Sequence, residues 1–161
     1  MLMLNGVGRR ELLLTSACLA ACAAPSAWAA GVVLPTPDSL ADELARALKI
    51  AQPLVVMVSL EGCPFCRVAR NNYLGPLRQQ DGVPVVQIDW RSAAPVSDFQ
   101  RNAVTHAQLV RSWKIKVAPT VLFFGPAGKE VAERLEGGYI EDFYGAYLEQ
   151  RLQQARAAIK A

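Results

Sequence analysis

The chain has 161 residues, enough for one ordinary domain; 52% of them are hydrophobic and 19% are charged. This composition is too apolar for a disordered chain and too rich in charge for a polytopic membrane protein. The net charge of +3 comes from scattered basic residues, whereas a nucleic-acid-binding domain would cluster them, so we expect no nucleic-acid partner. A single histidine, His106, excludes a metal site built from several histidines.

The first segment has the pattern of a secretory signal. Arg9 and Arg10 precede an apolar stretch at 12–24, and Ala-Trp-Ala at 27–29 offers a cleavage site. A transmembrane helix needs about 20 predominantly apolar residues, and this stretch is shorter. The sequence therefore predicts three parts, namely a signal peptide (1–29), a linker (30–38) and a folded domain (39–161).

A second processing route is open at Cys22. The run Leu-Ala-Ala-Cys at 19–22 resembles a bacterial lipobox, and cleavage before Cys22 would leave a lipoprotein signal at 1–21 and a lipid anchor on that cysteine. Arg9 and Arg10 also resemble a twin-arginine signal without its usual flanking residues. Every route exports the protein, so we expect it in a bacterial periplasm, either soluble or lipid-anchored.

Export divides the four cysteines into two groups. Cys18 leaves with the signal and Cys22 leaves or is lipidated, so the folded domain keeps Cys63 and Cys66. An exported domain with one pair does not use disulfides as a framework, and a bond across so short a loop restrains the unfolded chain little. The pair therefore indicates redox chemistry, with half of a zinc site or an inert core pair as the alternatives.

Helices and strands alternate along the rest of the chain. Ser39 can cap a first helix, and the nearly continuous apolar run at 54–60 is typical of a strand covered on both faces. The polar stretch at 91–104 is interpreted as a loop insertion. The other predicted elements are a helix at 63–80, a strand at 83–88, a helix at 105–113, strands at 120–124 and 131–135, and an amphipathic helix after Gly138. This alternation indicates an α/β domain.

The chemistry is expected in the motif Cys-Pro-Phe-Cys at 63–66. A buried strand leads through a turn at 61–62 into a helix, so unpaired N–H groups and the positive end of the helix dipole should face the Cys63 sulfur. Both favour the nucleophilic thiolate. Pro64 falls at the first helical position, where no N–H is needed. Cys66 lies one turn inward and can resolve a mixed disulfide.

This motif, followed by Val-Ala-Pro-Thr at 117–120 before an apolar strand, resembles the thioredoxin superfamily over residues 39–152. The resemblance implies the thioredoxin fold, an α/β architecture with a central mixed sheet of about four strands flanked by helices. It also implies a cis bond at Pro119 beside the nucleophile. The substrate-binding residues that it implies are Ala118, Pro119, Pro64 and Phe65.

The sequence departs from the thioredoxin pattern at two places near the cysteines. The buried aspartate that assists proton transfer in thioredoxin would align with Met57, which leaves Glu61 as the candidate proton acceptor. The alternative interpretation of Glu61 is a solvated surface residue. Phe65 stands where the strong bacterial oxidant has histidine, and a neutral ring cannot add positive charge near the Cys63 thiolate, which argues against an extreme oxidant.

The C-terminal part, with Gly-Lys-Glu at 128–130 and Leu-Glu-Gly-Gly-Tyr at 135–139, is similar to the SoxS-type periplasmic thioredoxins of sulfur-oxidation systems. The resemblance implies a periplasmic thiol–disulfide oxidoreductase that reduces disulfides of partner proteins, without a bound cofactor or metal. It further implies a membrane thiol transporter as the electron donor. Three alternatives stay open: a cytochrome-c-maturation reductase, a disulfide oxidant, and a non-catalytic adaptor on the same fold.

Two further features are assigned structural roles. His106 lies near a predicted helix start and is interpreted as a surface residue, with a role in the redox site as the alternative. The aromatic set Tyr139, Phe143, Tyr144 and Tyr147 is predicted to pack in the core, with part of a partner-docking surface as the alternative.

Overall fold

The computed structural model describes residues 31–138 and 141–161, with side chains from 143 onward in the second range. The predicted signal, with Cys18 and Cys22, lies outside the described residues, and so does Tyr139. Residues 31–161 fold as one unit. Within the part described, no helix combines the length and the apolar character needed to cross a membrane.

The segment 31–38, predicted as a linker, lies against the domain. Leu34 is buried among core residues. The backbone N–H of Gln87 donates to the Pro35 carbonyl at 2.8 Å, and the N–H of Ser97 donates to the Asp38 carbonyl at 2.8 Å. These contacts fasten the segment to the edge of the sheet, because an extended backbone there satisfies groups that would otherwise face solvent.

Four strands form the central sheet in the order β2-β1-β5-β6. The strands are β1 (Leu54–Ser59), β2 (Val85–Asp89), β5 (Thr120–Gly125) and β6 (Lys129–Glu136). β1 runs parallel to β2 and antiparallel to β5, and β5 runs antiparallel to β6. The predicted mixed sheet of about four strands flanked by helices is therefore confirmed.

Helices cover both faces of this sheet. They are α1 (Leu40–Lys49), α2 (Pro64–Val68), α3 (Gly75–Gln79), α4 (His106–Ser112) and α5 (Glu141–Lys160). A short 3₁₀ turn (Pro126–Gly128) joins β5 to β6. Ser39 caps α1 by accepting the Asp42 N–H, and Thr105 caps α4 in a reciprocal capping box with Gln108.

The core has two halves, one on each face of the sheet. Met57 shares one hydrophobic cluster with Leu74 and Leu148, whereas its neighbour Val56 shares the other cluster with Leu44 and Leu109. Successive side chains of a strand point to opposite faces, so a strand covered by helices on both sides must be apolar at every position. This explains the unbroken apolar run of β1, whose six residues are all buried.

The predicted helix at 63–80 is present over residues 64–79, but its α-helical hydrogen bonding is interrupted. A π-helical turn (Ala69–Leu74) separates α2 from α3. Pro76 has no N–H to donate and its ring opposes the carbonyl one turn back, so regular α-helical bonding cannot run through it. Gly75 permits close packing at the break, because a Cβ atom there would lie 2.5 Å from Val32 Cγ1.

The predicted loop insertion at 91–104 contains a small hairpin, which corrects the interpretation. Two antiparallel strands, β3 (Pro95–Ser97) and β4 (Ala103–Thr105), form a separate sheet. Val96 is buried, and the Phe99 ring lies 4.6 Å from the Phe124 ring between centroids. Strands of three residues are too short to show an alternating pattern, so their anchoring residues are visible only in the fold.

Candidate active site

Cys63 occupies the N-cap position of α2, where the sheet meets the helix layer. Gly62 turns the chain at the end of β1 with a φ of 74°, a conformation that favours glycine. The Cys63 backbone is extended, and its Sγ accepts the Cys66 N–H at 3.1 Å. A backbone donor at this distance stabilises negative charge on the sulfur when the pair is reduced.

Cys66 lies behind Cys63 in the core. Its side chain is 1% exposed and packs in the cluster that includes Met57, whereas Cys63 is half-buried. The two cysteines form a disulfide with their Cα atoms 5.3 Å apart. A partner's disulfide can therefore approach Cys63 from solvent, and Cys66 can be reached only through Cys63.

The loop before β5 lies beside the Cys63 sulfur. The peptide bond between Ala118 and Pro119 is cis. The Ala118 carbonyl oxygen is 3.9 Å from Cys63 Sγ, and the Pro119 carbonyl accepts the Gly137 N–H at 2.8 Å. This bond fixes the loop to the end of β6, so the backbone at Ala118 is held next to the reactive sulfur.

Gly138 completes this side of the site, and the sequence reasoning missed it. A Cβ atom at Gly138 would lie 3.2 Å from the Phe65 Cβ and 3.3 Å from the Pro119 Cγ. A side chain at this position would therefore press on both Phe65 and Pro119. The Gly-Gly doublet at 137–138 was the available signal in the sequence.

The residues around the motif differ in exposure. Phe65 is 45% exposed, and Pro64 is exposed at the first turn of α2. Glu61 is exposed in the turn before Cys63 and lines an open cleft of about 890 Å³. Because Glu61 and Cys63 border the same cleft, a proton could pass between them through water, and the role of Glu61 stays a prediction.

A polar network that the sequence did not reveal lies along the cleft. Arg70 donates from Nε to Gln87 Oε1 at 2.9 Å and from Nη2 to Ser59 Oγ at 2.9 Å. Gln87 Nε2 in turn donates to Asp89 Oδ1 at 2.7 Å. Gln87 and Asp89 are two residues apart in β2 and therefore lie on the same face of the strand. This spacing was the one feature of the sequence that indicated the network.

His106 is buried, so its interpretation as a surface residue is wrong. The side chain is 1% exposed, and its Nδ1 accepts the Asp89 N–H at 3.1 Å. The first turn of α4 packs onto the end of β2, which encloses the imidazole. Burial lowers the pKa of His106, against the opposing influence of the Asp89 carboxylate.

The aromatic set divides between core and surface. Tyr144 is buried, with its ring centroid 4.9 Å from that of Tyr73, and burial raises the pKa of its phenol. Phe143 is 59% exposed and Tyr147 is 46% exposed, so the prediction of core packing is wrong for these two. Phe143 and Tyr147 are four residues apart and lie on the same face of α5. That face is adjacent to the buried face formed by Tyr144 and Leu148.

Comparisons with known proteins agree with this architecture. A family model described as a thioredoxin-like domain matches residues 40–152. Among solved structures, thioredoxin O2 from Arabidopsis thaliana in the oxidised state has a TM-score of 0.50 and 16% identity, covering 73% of this chain and 93% of that one. At that identity the likeness shows the fold alone. No match was found among curated proteins.

Two further solved structures are similar to the chain. Fasciola hepatica thioredoxin has a TM-score of 0.49 and 17% identity, covering 76% of this chain and 99% of that one. The periplasmic thioredoxin SoxS from Paracoccus pantotrophus, in its reduced form, has a TM-score of 0.44 and 19% identity, covering 65% of this chain and 99% of that one.

In the part of the chain that the structure describes, no group of three or more His, Cys, Asp and Glu residues could hold a metal ion.

Proposed function

Because the chain belongs to the thioredoxin-like domain family and carries a C-x-x-C disulfide at a helix start, it is a thiol–disulfide oxidoreductase, and we propose that it reduces disulfides of exported partner proteins. The observation that carries the proposal is the contrast between the two cysteines. Cys63 is partly exposed to solvent and its sulfur accepts a backbone N–H, whereas Cys66 is buried behind it in the core. This is the arrangement of a nucleophile and a resolving thiol.

The proposed reaction transfers two electrons from this chain to the partner. In the reduced protein the Cys63 thiolate attacks one sulfur of the partner's disulfide, the S–S bond breaks, and the other partner sulfur leaves as a thiolate that takes up a proton. Cys66 then loses its proton and attacks Cys63. The mixed disulfide breaks, the second partner thiol is released, and the chain keeps the Cys63–Cys66 disulfide.

The direction towards reduction is supported by the residues between the cysteines. Neither Pro64 nor Phe65 can add positive charge beside the Cys63 thiolate, and strong oxidants depend on such stabilisation of their reduced form. A reductant must then be reduced again by another thiol. A membrane thiol transporter is the proposed electron donor, since an exported protein has no access to cytosolic reductants.

The periplasmic setting and a role in sulfur oxidation are finer parts of the proposal. The secretory pattern at 1–29 supports export. The tail at 128–139 resembles the SoxS-type proteins and supports a sulfur-carrier protein as the partner. An apocytochrome as partner would replace this assignment with a role in cytochrome-c maturation.

Insulin reduction tests the proposal directly. The purified domain should accelerate reduction of insulin disulfides by a small dithiol, and Cys63→Ser should lower the rate to that without protein. Ser112→Ala, an exposed change on α4, is the matched control and should leave the rate unchanged. An adaptor would be inactive in every form. A reduction potential of about −120 mV would indicate an oxidant, and one of about −270 mV would indicate a reductant.

A further inference from the structure

Three arginines line the cleft beside Cys63, namely Arg67, Arg70 and Arg91. Arg67 and Arg91 are exposed, and Arg70 is half-buried and held by Ser59 and Gln87. Within residues 31–138 and 143–161, none of the three lies in an ion pair with a carboxylate. Guanidinium groups at a cleft that are not engaged in ion pairs are available to an anionic ligand.

Two carboxylates, Glu61 and Asp89, border the same cleft. They do not fully neutralise it, because three arginines face two carboxylates. Arg70 is fixed in the cleft by two hydrogen bonds, whereas Arg67 and Arg91 are exposed. The cleft therefore contains one guanidinium group that is held in place and two that are exposed to solvent.

The sheet order places this cleft and the Pro119 loop on opposite sides of Cys63. β1 leads into Cys63, with β2 on one flank and β5 on the other. Arg91 follows the end of β2, and Pro119 immediately precedes β5. An extended partner segment that lies along Ala118 and crosses the Cys63 sulfur would therefore enter the cleft with the residues that flank its cysteine.

We propose that this cleft binds acidic side chains next to the reactive disulfide of a partner protein. The inference rests on the proposed reductase function and adds a substrate preference to it. A volume of about 890 Å³ holds several side chains. Guanidinium groups bind carboxylates through paired N–H donors, and they also steer an acidic segment towards the nearby Cys63.

Model peptides of one sequence test the preference. Each carries an internal disulfide flanked by two Glu, two Gln or two Lys residues, and is mixed with the pre-reduced domain in a single turnover. At low salt we expect the Glu peptide to be reduced about tenfold faster than the Gln peptide, and the Lys peptide more slowly than both. The preference should vanish at about 1 M salt, where charges are screened within roughly 3 Å.

The double variant Arg67→Gln/Arg91→Gln locates the effect. Its Glu-to-Gln rate ratio should fall close to one, and this ratio is insensitive to any change in the reactivity of the Cys63 thiolate itself. Arg111→Gln, on α4 and outside the cleft lining, removes one exposed arginine elsewhere and should keep the wild-type ratio. Far-UV circular dichroism checks that the variants fold.

The outcomes separate the two proposals. Equal rates for the Glu and Gln peptides, or a ratio unchanged in the double variant, would overturn the acidic-partner assignment and leave the reductase function standing. Reduction of glutathione disulfide as fast as of the Glu peptide would show a small anionic disulfide as the ligand instead. Failure to reduce any peptide would overturn the reductase function and this inference with it.

Discussion

At the scale of single residues, the two cysteines should differ sharply in reactivity. In the disulfide form that the structure shows, Cys63 is half-buried and its sulfur accepts the Cys66 N–H, while Cys66 is 1% exposed in the core. We expect iodoacetamide to modify Cys63 at least roughly tenfold faster than Cys66 near neutral pH. Tandem mass spectrometry of the peptide that carries both cysteines measures the two rates. Similar rates would contradict the assignment of nucleophile and resolving thiol.

His106 should make folding stability depend on pH. Burial holds its pKa in the folded protein below the ordinary value of 6.5. The unfolded chain therefore binds a proton at a higher pH than the folded one, so the stabilising contribution is present above about pH 6.5 and is lost as the pH falls through and below that value. Urea unfolding of the oxidised protein at about pH 7.5 and pH 5 measures the loss.

The variant His106→Gln separates this effect from that of the carboxylates. Its side-chain oxygen can still accept the Asp89 N–H, but it does not titrate. We expect a smaller difference in the free energy of unfolding between the two pH values than in the wild type. A wild-type difference that the variant fully retains would assign the pH dependence to other groups.

At the scale of elements, the sequence predicted what depends on long apolar runs and on capping residues. The unbroken run of β1 identified a strand buried on both faces, and Ser39 and Thr105 marked the starts of α1 and α4. It failed where tertiary packing decides. The π-helical turn at Ala69–Leu74 joins two helices that a periodic pattern treats as one. The hairpin of β3 and β4 depends on Phe99 packing against Phe124.

The sequence predicted the residues of the candidate site that lie in short motifs, but not those that the fold brings together from distant parts of the chain. Cys63, Cys66 and Pro119 stand in short motifs, and a motif carries its own signal along the chain. The network of Arg70 with Ser59 and Gln87 joins a helix to two strands. Its members are adjacent because β1 and β2 are in parallel register, with Ser59 opposite Asp89. Strand register cannot be derived from a single strand's sequence.

At the scale of the whole molecule, the sheet brings three separate segments around one sulfur. The chain after β1 supplies Cys63 with Arg67 and Arg70, the chain after β2 supplies Arg91, and the chain before β5 supplies the Ala118–Pro119 backbone. Each segment lies at the same edge because β2 runs parallel to β1 and β5 runs antiparallel to it. A partner bound here would be held on both sides of the bond that is exchanged.

This arrangement predicts which complexes accumulate when the second step is blocked. In Cys66→Ser the Cys63 thiolate still attacks, but nothing resolves the mixed disulfide, so covalent adducts through Cys63 should persist. The full chain, expressed in a bacterium with its first 30 residues, is purified without reductant, and the adducts are identified by mass spectrometry. Adducts should be absent from Cys63→Ser/Cys66→Ser.

Pro119→Ala in the Cys66→Ser background should change the set of trapped partners, because Pro119 packs beside Gly138 and positions the Ala118 carbonyl 3.9 Å from the Cys63 sulfur. The same adducts in equal amounts from both backgrounds would show that the Ala118–Pro119 loop does not select partners.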